Sequence, residues 1–288
     1  MEFHPRFDWD DDESSFVDHI LILPSVSYAN IGQLAIDCVL NTLLNAKEND
    51  SIQLVGYLST DAVPPMAGSC AFMYPANKTT APSLTVNLEL YQFKSKRQLI
   101  LQQRTPILSG KSLQFATDLV HWAMKCGILG VYVVAGANDM LQSDALQSSQ
   151  AVFTTIGHVE IRNENSLLHN HSFLEQFSSK DTTLEENLCL KSRIQMKWKD
   201  VKGTGIAPFL AYVTEQREMA FAALIMVCAE GDNVREAVLM ATYVWSFLEL
   251  AVDSESKGPE FLHNNEPSIR LPPSWCQMFG SEPNRALY

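Results

Sequence analysis

Along most of the chain, short continuous apolar runs alternate with stretches of helical periodicity. The run "HILILP" suits a buried strand and is stopped by Pro24. After the loop "SVSYAN", the segment "IGQLAIDCVLNTLL" places Ile31, Leu34, Ala35, Cys38, Val39 and Leu43 on one helical face. Asn30 is positioned to cap that helix, and Gln33 three residues later completes a capping-box variant. "SIQLVGYL" reads as a second strand. In "LTVNLELYQF" the period becomes two: Leu84, Val86, Leu88 and Leu90 alternate with Thr85, Asn87, Glu89 and Tyr91, as in a half-buried strand. Beyond "KSKR", the run "QLILQQ" is placed to be its hairpin partner.

The second half repeats the rhythm. "KSLQFATDLVHWAMKCG" predicts a helix with Phe115, Leu119, Trp122 and Cys126 inward, ended at Gly127, and "ILGVYVVAG" predicts another buried strand. Residues 139–200 are polar and weakly periodic, which predicts an insertion of loops and short elements. Regular structure returns with "GIAPFLAYVTEQREM", where Pro208 suits the first turn of a helix, and with the strand "AFAALIMVCAE". "NVREAVLMATYVWSFLEL" is the longest helix, with Ala237, Val238, Ala241, Val244, Trp245 and Leu248 on one face and Asn233 and Glu236 at capping-box spacing. A polar linker over roughly 253–268 precedes the closing segment. Helices alternating with fully apolar strands predict an α/β fold, a sheet covered on both faces.

Charge and cysteine usage narrow the class. The net charge of −12 leaves no basic footprint for a phosphate backbone, so neither nucleic acid nor an anionic membrane is an expected partner. Residues 1–17 carry Asp8, Asp10, Asp11, Asp12 and Glu13 and read as a disordered acidic head. They lack the basic and apolar regions of a signal peptide, and no apolar run reaches the ~18–20 residues that span a bilayer. The six cysteines form no C-x-x-C pair and most lie in apolar runs, as reduced thiols of a soluble, intracellular protein do.

Catalytic signatures are sparse. The loop "PSVSYANIG" has one glycine where a dinucleotide turn needs several. "KGTGIAP" precedes a helix N-terminus, where amides could hold an anion or merely turn the chain. In "AEGDN", Glu230 and Asp232 follow a buried strand, the place for acid–base work on a metabolite; equally, Asp232 and Asn233 suit a structural cap for the next helix. His169 and His171 are poorly spaced for a metal, Ser69 lacks a nucleophile elbow, and Cys70 has no base partner. No catalytic residue, metal or cofactor is expected. The chain stops on Leu287–Tyr288, two residues that prefer burial, either in the chain's own core or in a pocket on another molecule.

Taken together, "LILPSVSYANIGQLAIDCVLNTL", "VGYLSTDAVPPMAG", "GVYVVAG", "CAEGDNVREAVLMATYVWSFLEL" and "LPPSWCQMFGSEPNRALY" resemble the proteasome assembly chaperone 2 family, from about residue 18 to the end. The resemblance implies a single-domain, three-layer α/β/α sandwich related to nucleoside phosphorylases but not catalytic. It implies a heterodimer with proteasome assembly chaperone 1, located in cytoplasm and nucleus, that binds α subunits of the 20S proteasome. There it promotes α-ring formation and prevents off-pathway ring association. The body would span 18–252, with 253–288 as linker and docking tail. Proteasome partners of this kind dock C-terminal tails between adjacent α subunits, through a hydrophobic residue, a Tyr and one further residue, with the terminal carboxylate meeting a lysine. Here Ala286, Leu287 and Tyr288 would bind the ring, although no residue follows Tyr288, and Trp275 and Phe279 would anchor the tail's base.

Two other readings stand beside the assembly chaperone. One is a small-molecule enzyme of the nucleoside phosphorylase class using Glu230 and Asp232, weakened by the missing phosphate-binding groups. The other is a scaffold whose terminal residues pack inward, weakened by polar Ser281, Glu282, Asn284 and Arg285 just before them.

Overall fold

A computed structural model describes residues 1–45, 52–74, 82–138, 152–156, 202–250 and 269–277. The strands, in chain order, are β1 (Glu2–Pro5), β2 (Ile20–Pro24), β3 (Gln53–Ser59), β4 (Ala67–Ser69), β5 (Leu84–Val86), β6 (Glu89–Phe93), β7 (Gln98–Gln102), β8 (Gly130–Asn138), β9 (Val152–Ile156) and β10 (Ala220–Cys228). The helices are α1 (Ile31–Leu44), α2 (Ser112–Lys125), α3 (Ala207–Gln216) and α4 (Val234–Leu250). Eight strands form one sheet in the order β1-β3-β6-β7-β2-β8-β10-β9, and β4 pairs with β5 in a separate ribbon. The centre, β7-β2-β8-β10, is parallel, while β1, β3, β6 and β9 join antiparallel.

Central strands with apolar side chains at every position need cover on both faces, and they have it. Along β2, Leu21 and Leu23 enter a core shared with Phe115, Leu119 and Trp122 of α2 and Leu210 and Val213 of α3. Ile20 and Ile22 enter the opposite core, with Ala35, Val39 and Leu43 of α1 and Met240, Ala241 and Val244 of α4. The result is a mixed sheet between two pairs of helices. Of the expected 139–200 insertion, only β9 lies within the described residues, paired with β10.

Residues 1–17, expected as a disordered head, are ordered. β1 pairs with β3 and covers that sheet edge, while Trp9 and Phe16 are buried among Phe3 and Trp122. The acidic side chains find partners instead of repelling one another. Asp8 pairs with Arg6 at 2.6 Å and Asp11 with Lys94 at 2.8 Å, Asp12 accepts the Ser14 N–H, and Glu13 accepts from Trp122 Nε1 at 2.9 Å. Burial of the aromatic residues Trp9 and Phe16 among the carboxylates outweighs the charge pattern that favours disorder.

The alternating run at 84–91 is not one strand. Leu88 takes φ 56°, separating β5 from β6, and Asn87 holds the break by accepting from Arg104 N and donating to Pro64 O. In β5, Leu84 is exposed and Thr85 buried, while in β6 Glu89, Leu90 and Tyr91 are all buried, because β6 lies inside the sheet with a core on each side. Asn30 does not cap α1 through its side chain. It adopts a left-handed conformation, and Gln33 reaches Arg104 O instead.

The close fit of α1 to the sheet depends on Gly32. A Cβ there would lie 2.1 Å from the carbonyl oxygen of Val134, so the helix could not keep its position. Gly32→Ala is expected to destabilise the fold by about 1–3 kcal/mol in chemical denaturation, as overpacking against backbone does. An unchanged midpoint would show that α1 can shift freely.

Candidate functional site at the base of the C-terminal segment

In open α/β sheets, ligands enter the crevice beyond the carboxyl ends of the parallel strands. In this chain the β2–α1 loop, the end of β8 and residues 202–206 fill that region with their own backbone. Ser25 Oγ donates to Thr204 O at 2.7 Å and accepts the Ile206 N–H at 2.9 Å. Tyr28 N donates to Gly203 O, Gly136 N to Ser27 Oγ, and Asn138 N to Lys202 O. The two loops read separately from the sequence, "SVSYAN" and "KGTGIAP", therefore satisfy each other. The Ile206 amide that an anion would have needed is already bonded.

Glu230 and Asp232 are exposed at the end of β10 rather than enclosed in a cleft. Asp232 Oδ1 accepts the Val234 N–H at 3.2 Å, the Asn233 carbonyl accepts from Ala237 N, and the Asn233 amide donates to Gly231 O. Burial pushes the Cys38 and Cys126 thiols up to about 12, far from a nucleophile's range. Among the described residues no group of His, Cys, Asp and Glu could hold a metal. His169 and His171 lie outside the described residues.

A different site emerges on α1. Gln33, Asp37, Asn41 and Asn45 recur every fourth residue, so they form one polar stripe along a helix whose other faces are apolar. Each member ties α1 to another segment. Gln33 Nε2 donates to Arg104 O at 3.3 Å, and the Gln33 main-chain carbonyl accepts from Gln102 Nε2 at 3.1 Å. Asp37 accepts from Gln102 and forms a 2.7 Å ion pair with Arg104, whose guanidinium lies 5.2 Å from the centre of the Phe72 ring.

Asn41, wholly buried, uses both polar atoms of its side chain. Oδ1 accepts Met73 N at 2.9 Å, and Nδ2 donates to Arg270 O and Leu271 O, both at 3.1 Å. Thr42 Oγ1 accepts Arg270 N at 2.9 Å, and Asn45 Nδ2 donates to Met73 O. Downstream, Pro272 is buried, Ser274 Oγ donates to Ala71 O, and Trp275 packs against the α1-side core in the middle of a short 3-10 turn, Pro273–Gln277. The proposed anchor Phe279 and the terminal Ala286, Leu287 and Tyr288 lie outside the described residues. The apolar face of α1 dominates its periodicity and hides this stripe. Its signal was available as polar residues at a strict spacing of four inside an apolar helix.

The stripe's ion pair has a buried neighbour, Glu89, which accepts from Val86 N and the Tyr91 hydroxyl, both at 3.1 Å. Burial raises the Glu89 carboxyl to about 7 despite the pull of Arg104, and it also raises Asp37. The unfolded chain releases the Glu89 proton near 4.5 and the folded chain only near 7. Between those values the folded state binds more protons, so this group's contribution to stability falls as pH rises and levels off above about 7. Glu89→Gln keeps a neutral acceptor for Val86 and is expected to remove that slope. The measurement is unfolding free energy from about pH 5 to about pH 8. Parallel profiles for the two proteins would place the titration elsewhere.

The molecule is thus an α/β sandwich whose β2–α1 loop is bonded to residues 202–206 and whose C-terminal segment is held by a buried polar stripe. It belongs to the PAC2 family, whose match covers residues 21–268. It is similar to Proteasome assembly chaperone 2 of Mus musculus, at 26% identity over 270 residues, 93% of this chain and 94% of that one. It is likewise similar to the protein of that name from Homo sapiens, at 25% identity over 276 residues, again covering 93% and 94%. Among solved structures, the fold is similar to Pyrococcus furiosus PbaA in its monoclinic form, an archaeal homolog of proteasome-assembly chaperone. That likeness has a TM-score of 0.52 at 14% identity and covers 81% of this chain and 76% of that one. Pyrococcus furiosus PbaB, an archaeal proteasome activator, matches with a TM-score of 0.51 at 16% identity, covering 86% and 89%. The family relation sets the chain among assembly chaperones rather than enzymes.

Proposed function

We propose that the protein is a chaperone of 20S proteasome assembly, acting as half of a heterodimer with proteasome assembly chaperone 1 in cytoplasm and nucleus. The pair binds α subunits, promotes α-ring formation and prevents off-pathway ring association. The observation that carries this reading is the similarity to Proteasome assembly chaperone 2, which extends over nearly the whole of both chains. In this reading the body, residues 18–252, is of nucleoside phosphorylase-like type without its chemistry. The tail, 253–288, docks through Ala286, Leu287 and Tyr288, with Trp275 and Phe279 at its base.

A heterodimer subunit leaves an apolar surface uncovered when alone. Leu113 of α2 and Phe209 and Tyr212 of α3 are exposed and supply apolar surface for such an interface. The chain expressed alone is expected to be poorly soluble or to self-associate, and co-expression with proteasome assembly chaperone 1 should rescue it as a stable pair. Affinity purification from a lysate should then recover that sister chain together with α subunits. A well-behaved monomer that ignores the sister chain in size-exclusion runs would sink the proposal.

A further inference from the structure

We propose that Asn41 and Thr42 are positioning residues. They latch residues 269–275 to the body and so set the point and direction from which the C-terminal tail departs. The inference rests on the tail-docking reading above and adds to it the device that aims the tail. Residues 269–272 lie in neither strand nor helix, and the main-chain bonds of Arg270 and Leu271 run to α1 side chains. Asn41 holds two consecutive carbonyls through one amide nitrogen, while Thr42 holds the amide of Arg270. Thr42 Oγ1 also donates to Cys38 O, which fixes its hydroxyl toward the segment.

The other half of the grip fixes Asn41 itself. Met73 N donates to Asn41 Oδ1 opposite the Nδ2 bonds to Arg270 O and Leu271 O, so the carboxamide cannot rotate without breaking bonds on both sides, and Asn45 bridges the Asn41 main-chain carbonyl and Met73 O. Three short pieces of chain, the end of α1, residues 71–73 and residues 269–275, thus meet at one side chain. A tail that enters a fitted pocket binds well only if its base is already aimed, since ordering it at the moment of binding lowers affinity. Apolar packing of Trp275 alone would leave the segment free to slide. The paired carbonyl contacts at Asn41 fix its register.

Two variants test the latch in the full chain paired with its proposed sister. Asn41→Asp is nearly isosteric but sets an oxygen against the Arg270 and Leu271 carbonyls. Thr42→Val removes only the hydroxyl and guards against a variant that fails to fold. Amide exchange at 270–275 is expected to quicken by roughly tenfold or more in each, with the sheet unchanged. Binding to α subunits is expected to weaken by about tenfold. Unchanged exchange in both variants overturns the latch, whatever the tail does. Faster exchange with wild-type binding, while deletion of Leu287–Tyr288 does weaken binding, overturns the positioning role and leaves tail docking standing. If that deletion is itself without effect, tail docking fails and the positioning role falls with it.

Discussion

Phe16→Ala is expected to lower the unfolding free energy by about 3–5 kcal/mol, the range for truncating a core aromatic. Phe16 is fully buried. It stacks on Trp9 at 5.4 Å and meets the edges of Phe3 and Trp122 at 5.4 and 6.2 Å, so the cavity left by truncation would be walled by rigid rings. The loss should spread beyond the local turn, because this cluster seats β1 against β3 and so covers the sheet edge. Asp10→Asn, at an exposed position in the same segment, is expected to change stability by less than about 0.5 kcal/mol. Denaturant titration of both variants separates an ordered arm from a dispensable one. Equal midpoints for wild type and Phe16→Ala would return residues 1–17 to the status of a loose head.

Deleting Leu287 and Tyr288 is expected to weaken binding to the α ring by about 1–3 kcal/mol, roughly fivefold to 150-fold. An aromatic anchor that enters a pocket is desolvated only on binding, so its loss should spare both the free fold and the pairing with the sister chain. Part of the effect is masked when a second tail from the sister chain raises the effective concentration at the ring. Single-tail measurements, with the sister's tail removed, should therefore show the larger change. Appending a few polar residues after Tyr288 keeps both side chains and displaces whatever contact the chain end makes. A drop of many degrees in the melting temperature of the free pair would instead assign Leu287 and Tyr288 to the core.

The buried strands and amphipathic helices were legible in the sequence because one physical demand, removal of apolar surface from water, writes both patterns. β2, β8 and β10 are continuous apolar runs, and α2 carries Phe115, Leu119 and Trp122 at helical spacing, so each element can be read from its own residues. The same local logic failed where the decisive partner is distant in sequence. Glu89 has the position of a solvent-facing residue in an alternating strand, but both faces of β6 are covered by cores, and Glu89 is buried with Val86 N and the Tyr91 hydroxyl as its partners. Asp12 and Glu13 looked mutually repulsive until Ser14 and the Trp122 indole supplied their hydrogen bonds.

The site divides along the same line. That α1 carries Gln33, Asp37, Asn41 and Asn45 at a spacing of four is plain in the chain, and a polar stripe inside an apolar helix must find partners or be strongly destabilising. Which partners it finds is not local information. Asn41 meets Arg270 and Leu271 from more than two hundred residues away, and Asp37 meets Arg104, beyond the end of β7, at a separation of 67 residues. Hydrophobic periodicity, being non-directional and short in range, specified the elements and their inward faces. Directional hydrogen bonds between remote segments exist only once those elements have packed, so the closed crevice and the gripped C-terminal segment were settled by the tertiary structure.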